Sequence, residues 1–240
     1  CINGMDADLI ILALATHKSN FFILRDDMFT LFNEFFCIDI GSTRASLIQM
    51  LKWKSKNHVF NEKQAINDFI FICFMVGNDF LPHIPSIEII ESGIEFMIDI
   101  YLIVGSNHGH ITDTIKGKVY FKKEALQVFL AFVAQNEKQN FESKLAKKKS
   151  FFPDPLLIKH SNNSSSGKWY LDISGYTNDY NVKCFGVKPD IQSISHQYLQ
   201  GLQWVLSYYT TGVPSWKWYF PYQYAPTASV LMQHVESFKF

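Results

Sequence analysis

Met75-Val76-Gly77-Asn78-Asp79-Phe80-Leu81-Pro82-His83-Ile84-Pro85 is the stretch around which the chain is organised. Residues 61–76 before it read as a helix, with Asn61 as N-cap, Glu62 in the first turn and an almost unbroken apolar face from Ala65 to Val76. Gly77 closes that helix, because glycine takes the left-handed conformation that a helix end asks for, and Pro82 and Pro85 keep it from resuming. Asp79 is then expected at the mouth of an apolar element, beside Phe80 and Leu81 and at the negative end of the helix dipole. A carboxylate buried in such a place needs a cation, and a metal ion is the expected one.

Its expected companions open the chain. Residues 2–5 read as the end of a buried strand, Asp6-Ala7-Asp8 follows at once, residues 9–15 have helical composition, and residues 20–25 read as a returning strand. Strand, helix and strand make a unit with parallel strands, and ligands of such sheets bind at the carboxyl edge of the strands. Asp6 and Asp8 would stand at that edge. With Asp79 folded back on it, three carboxylates converge, and oxygen ligands without His or Cys suit Mg²⁺ or Mn²⁺ better than zinc.

The same residues carry a resemblance. Gly4-Met5-Asp6-Ala7-Asp8-Leu9-Ile10, Ala15-Thr16-His17, Phe22-Ile23-Leu24-Arg25 and Val76 to His83 occur in the order found in the XRN family of 5′-to-3′ exoribonucleases. So do Tyr198 to Leu206, Tyr208-Tyr209 and the run from Gly212 to Pro226, so the resemblance spans nearly the whole chain. It implies the α/β edge of a PIN-like, flap-endonuclease-like nuclease core over residues 1–28, followed by a mainly α-helical domain over 29–240 that contains the Gly77-Asn78-Asp79-Phe80 turn. It implies processive 5′-to-3′ hydrolysis of single-stranded RNA bearing a 5′-monophosphate, with Asp6, Asp8 and Asp79 as catalytic ligands of Mg²⁺ or Mn²⁺. An upstream nuclease segment would supply the remaining strands, further acids and the phosphate pocket. Trp216 or Trp218 would stack on RNA bases. Cytoplasmic and nuclear members share these motifs.

Composition agrees with a folded chain: 240 residues, 48% hydrophobic and 16% aromatic, are rich enough for a sizeable core. The formal net charge is zero, so any nucleic-acid contact has to come from local patches. Cys1, Cys37, Cys73 and Cys184 stand far apart and read as reduced, buried thiols of an intracellular protein. No apolar run is long enough for a membrane span, and no membrane association is expected. The chain starts with Cys and inside a strand, which reads as a fragment that is inactive without the upstream segment.

Elsewhere, residues 26–56 read as a connection with an apolar stretch over 28–37 and a helix over 46–53. Residues 87–104 read as an amphipathic helix ended by Gly105, with Glu88, Glu91, Glu95 and Asp99 on a solvated face rather than in a metal site. A loop over 109–117, an extended piece over 118–121 and a helix over 123–147 with Leu126, Phe129, Leu130 and Val133 inward come next. Lys144, Lys147, Lys148 and Lys149 form the obvious basic run, read first as a solvated helix end. Residues 153–167 read as a flexible surface loop without function. Asp190 caps a helix to Tyr209 that keeps Trp204 with the core, and His17 and His83 are expected to satisfy buried hydrogen bonds. No Ser-His-Asp order, P-loop, Rossmann glycine pattern or zinc spacing occurs. Two other readings fit the acids: a structure-specific flap-type 5′ nuclease on DNA, or a catalytically inactive homologue that binds RNA or acts as a scaffold.

Overall fold

Asn61 caps as its position demands. Its Oδ1 accepts from the backbone amides of Lys63 at 2.9 Å and Gln64 at 3.1 Å, and helix α3 (Glu62–Phe74) begins there. The computed structural model describes residues 1–26, 35–88, 92–147 and 154–240. Ile90 and Glu91 of the expected amphipathic helix, Lys148 and Lys149 of the basic run, Pro153 and the apolar residues 28–34 lie outside the described residues.

Elements follow in the order β1 (Ile2–Asn3), α1 (Asp8–Ala15), β2 (Phe22–Asp26), β3 (Phe35–Asp39), α2 (Ile40–Leu51), α3, α4 (Gly93–His108), β4 (Thr112–Ile115) and β5 (Lys118–Phe121). Then come α5 (Lys123–Ala146), α6 (Pro155–Lys159), β6 (Ser161–Asn163), β7 (Trp169–Leu171), α7 (Ile173–Phe185), α8 (Ile191–Thr210) and α9 (Ala228–His234). The expected parallel pair is present, with Ile2 opposite Ile23 and Asn3 opposite Leu24. Helix α3 is the centre of the packing: Ala65, Ile66, Ile70, Phe71 and Ile72 are fully buried, and α1, α2, α4, α8 and β4 pack around it. Each large apolar side chain so buried stabilises the fold by about 1.5–3 kcal/mol. A smaller cluster of Phe141, Leu157, Leu171, Tyr176 and Tyr180 seats α6, α7 and the β6–β7 hairpin against the end of α5.

Several expectations need correction. The first strand stops at Asn3, and Asp8 lies in the first turn of α1 rather than at a strand end. The stretch after β2 is no plain connection, since β3 adds an antiparallel strand with Phe22 opposite Asp39. Helix α2 starts at Ile40 because Asp39 accepts from the amides of Gly41 and Ser42. Helix α4 runs from Gly93 past Gly105 to His108, and Gly109, at φ +76°, ends it. Gly105 is a glycine for room, because a Cβ there would stand 2.3 Å from Trp53 Nε1. Residues 112–121 form a hairpin, β4 and β5, not a loop with one extended piece. The supposed surface loop holds α6, capped by Asp154, and β6, and α7 was not among the expected elements although Ile173, Tyr176, Tyr180 and Cys184 stand at helical spacing. Cys1 and Cys37 are exposed rather than buried, whereas burial pushes the Cys73 thiol up to about 12.

Candidate metal and nucleic-acid site

Two turns carry the three acids. At the chain start, Asp6 Oδ1 accepts from the Asp8 amide at 2.9 Å and starts α1, while the Arg25 guanidinium donates to the Met5 carbonyl and ties this turn to β2. After α3, Gly77 adopts φ +106° and Asn78 builds the turn that follows it. Asn78 Oδ1 accepts from the amides of Phe80 at 2.9 Å and Leu81 at 3.0 Å, and its side-chain amide donates to the Phe74 carbonyl. Because Asn78 satisfies the turn by itself, the Asp79 side chain is left to solvent, and the expectation of a buried aspartate is corrected: Asp79 and Asp6 are exposed and Asp8 is half-buried.

The two turns meet at the end of α8. Helix α1 packs on α8, and burial, the Asp8 carboxylate and the charge of Asp79 together raise the Tyr209 phenol above its ordinary pKa. Phe74 and Phe80 pack on Tyr209 and Tyr208 with centroids 5.1 Å and 5.0 Å apart. The donor chemistry, carboxylate oxygen open to water, suits a hard divalent cation. Among the described residues no group of three or more His, Cys, Asp or Glu side chains is close enough to hold a metal ion, so these acids do not enclose one by themselves. Tyr209 and Arg25 are not among the expected site residues, although Tyr208-Tyr209 and Phe22-Ile23-Leu24-Arg25 are among the stretches that carry the resemblance.

An aromatic wall rises from the same place. Tyr208 stacks on Trp204 (5.5 Å, 6°), and Trp204 stacks on Trp218 (5.1 Å, 25°) while its indole N–H donates to the Ser215 carbonyl at 3.2 Å. Phe80 packs against both Trp204 and Tyr208, at 5.0 Å from each. Trp218 also fills the space over Gly201, where a Cβ would meet its ring at 2.9 Å. The two candidate stacking residues therefore separate: Trp218 is part of the wall, and Trp216, 89% exposed, stands outside it. Lys144, the first member of the obvious basic run, is engaged with Glu88.

A buried polar network missed by sequence reading braces α3. Asp68, fully buried, accepts from the Thr112 amide and hydroxyl at 2.6 Å each, from Tyr101 Oη at 3.0 Å and from His110 Nδ1 at 2.7 Å. The Asn61 amide donates to His110 Nε2 at 2.9 Å, which fixes the proton of the neutral ring on Nδ1. Trp53 Nε1 donates to Tyr101 Oη at 3.2 Å and extends the network to the segment after α2. His17 accepts from Arg44 at 3.1 Å, and burial first, then Arg44, lower its pKa; burial likewise lowers that of His83.

Residues 59–169 and 159–239 match the family model described as the Xrn1 helical domain, and residues 1–27 match the one described as the XRN 5′-3′ exonuclease N-terminus. Among curated proteins the chain is 27% identical to a Drosophila melanogaster 5′-3′ exoribonuclease 2 homolog over 94% of its own length and 35% of the relative's. It is 25% identical to the Gallus gallus 5′-3′ exoribonuclease 2 over 95% of itself and 36% of that protein, and 24% identical to the Homo sapiens 5′-3′ exoribonuclease 1 over 95% of itself and 17% of that protein. The chain thus spans about a third or less of the length of these relatives.

Proposed function

Since this chain belongs to the XRN family, we propose that it is part of a metal-dependent exoribonuclease that degrades single-stranded RNA from a 5′-monophosphate towards the 3′ end. In this reading residues 1–28 are the edge of a PIN-like nuclease core and residues 29–240 the helical domain that closes it. The observation that carries the assignment is the match of residues 1–27 and of residues 59–169 and 159–239 to the two XRN family models, together with the packing of both α1 and the turn after α3, through Phe80, on α8.

Asp6, Asp8 and Asp79 are the residues that would hold Mg²⁺ or Mn²⁺, together with further oxygen donors, since among the described residues no group of three or more such side chains is close enough to hold an ion. The ion would supply charge to lower the pKa of a bound water and to stabilise the departing oxygen. What the chain itself contributes is position. Asn78 fixes the turn that presents Asp79, Arg25 fixes the carbonyl before Asp6, and Tyr209, packed on Phe74, anchors the end of α8 beside the turn after α3. Trp216 offers an open ring on which an unpaired base can stack without its sequence being read.

The test is to incubate the full-length enzyme of which residues 1–240 are part with Mg²⁺ and end-labelled RNA carrying either a 5′-monophosphate or a 5′-hydroxyl. Release of mononucleotides from the phosphorylated substrate alone, abolished by a chelator, is the expected result. Equal attack on both ends, or internal cuts, would overturn the reading.

A further inference from the structure

Residues 40–61 hold Arg44, Lys52, Lys54 and Lys56 and no acidic residue, in a chain whose formal net charge is zero. The last three stand on the segment that leaves α2, where the backbone at Lys52 is extended (φ −73°, ψ +113°). Exposure alternates along it: Lys52, Lys54 and Lys56 are exposed, Ser55 is half-buried and Trp53 is 4% exposed. In extended chain, residues two apart project to the same side about 6.6 Å apart. Trp53 goes the other way, into the space over Gly105 between Phe60 and His110, and is held through Tyr101 by the Asp68 network. Ser55 Oγ accepts from the amides of Asn57 and His58 at 3.2 Å and ends the extended run. None of the three ammonium groups has a hydrogen bond or ion pair with another side chain among the described residues.

We infer that Lys52, Lys54 and Lys56 form a pre-set row that holds the sugar-phosphate backbone of single-stranded RNA outside the catalytic centre. The inference rests on the exoribonuclease reading above. An open row of ammonium groups, with no exposed aromatic ring among them, gives charge without stacking and so contacts phosphate irrespective of sequence. A flexible basic surface would have to order its side chains and backbone on binding, whereas this backbone is already fixed by a buried tryptophan. The row lies at the Asn61 end of α3 and Asp79 follows the other end, 13 helical residues away, so the two are separated by about 20 Å. A strand long enough to reach from one to the other feels the row; a short one does not. Met50, 53% exposed, and Val59, 87% exposed, flank the lysines and would suit a partner protein instead.

The experiment compares the parent with the triple variant Lys52→Ser, Lys54→Ser, Lys56→Ser in RNA titrations at several salt concentrations, using strands of about 4 and about 16 nucleotides. Each phosphate contact on single strands adds about 0.7 to the slope of log affinity against log salt, so the variant should lose about 2 from the slope with the longer RNA and nothing with the shorter. The parent's advantage then shrinks by about tenfold or more between 50 and 200 mM salt. The double variant Lys116→Ser, Lys118→Ser, on the β4–β5 turn, should keep the parent slope. An unchanged slope in the triple variant, in a parent that does bind RNA, overturns the row and points to a protein partner. A parent that binds no RNA overturns the function reading and the row with it.

Discussion

Asp68 and Asp79 belong to the same stretch of chain and have opposite lives. Asp68 is fully buried and its two oxygens accept from four donors; Asp79 is exposed and, among the described residues, no donor meets its carboxylate. The difference lies in who satisfies the local backbone. At Asp68 the carboxylate itself serves the amide and hydroxyl of Thr112, while at the Gly77 turn Asn78 serves Phe80 and Leu81 and leaves its neighbour idle. A carboxylate whose lone pairs are all engaged has nothing left for a ligand; an idle one has, and the same residue type is structural in one place and chemical in the other.

The sharpest way to break this comparison is to exchange the two expected losses. Asp68→Ala removes one member of a buried network and leaves three residues with unpaired polar groups, so unfolding in denaturant should show a loss of about 3–5 kcal/mol. A loss below about 1 kcal/mol, the worth of an ordinary hydrogen bond, would mean that the network does not brace α3. Asp79→Asn should do the reverse: its melting temperature stays at the parent's value, and turnover on 5′-monophosphorylated RNA in Mg²⁺ falls by more than the 10–100-fold typical of residues that only support a metal ligand. Parent-like turnover would take Asp79 out of the metal site.

The aromatic wall permits a finer version of the same comparison. Trp216→Ala should weaken single-stranded RNA binding by about 1–3 kcal/mol with little change in melting. Trp218→Ala, by opening a gap over Gly201 and beside Trp204, should lower stability by somewhat less than the 3–5 kcal/mol of a fully buried aromatic. If both variants lose stability and binding in step, Trp216 is no platform.

The smallest expected effect is on pH. His17 is lowered below 6.5 in the fold by burial and Arg44, so it stays neutral where the unfolded chain binds a proton. Its contribution is therefore intact above pH 6.5 and is lost as pH falls from 6.5 towards the folded value. His17→Gln should flatten the melting-temperature profile between pH 7 and 5.5, and an unchanged slope there would assign the acid sensitivity to another group.

What the sequence made legible followed from local chemistry. Asn61 and Gly77 bounded α3, Asp190 started α8, and the apolar period of residues 123–147 placed α5, because caps and periods act within a few residues. Residues 173–185 carry a helical spacing too, Ile173, Tyr176, Tyr180 and Cys184, but these residues serve a small separate core away from α3, and the helix was missed between the polar stretches around it. The site was legible as residue types, Asp6, Asp8 and Asp79, but their exposure was misjudged, because the sequence does not say that Asn78 rather than Asp79 will serve the turn. The Asp68 network was invisible for a related reason: its members Trp53, Asn61, Tyr101, His110 and Thr112 come together only across α3, α4 and β4.

The stack of Trp218, Trp204 and Tyr208 also gives the protein an optical life of its own. Indole rings 5.1 Å apart and 25° from parallel share their electronic transitions, so this pair should give a near-ultraviolet circular dichroism couplet that vanishes when the segment carrying Trp218 detaches from α8. Trp216, in water, should emit at the red edge of the fluorescence spectrum and be quenched by a base laid on its ring. Of the chain's five tryptophans, one therefore reports the arrival of a ligand and two report the integrity of the wall behind it, in separate spectroscopic channels and without any label.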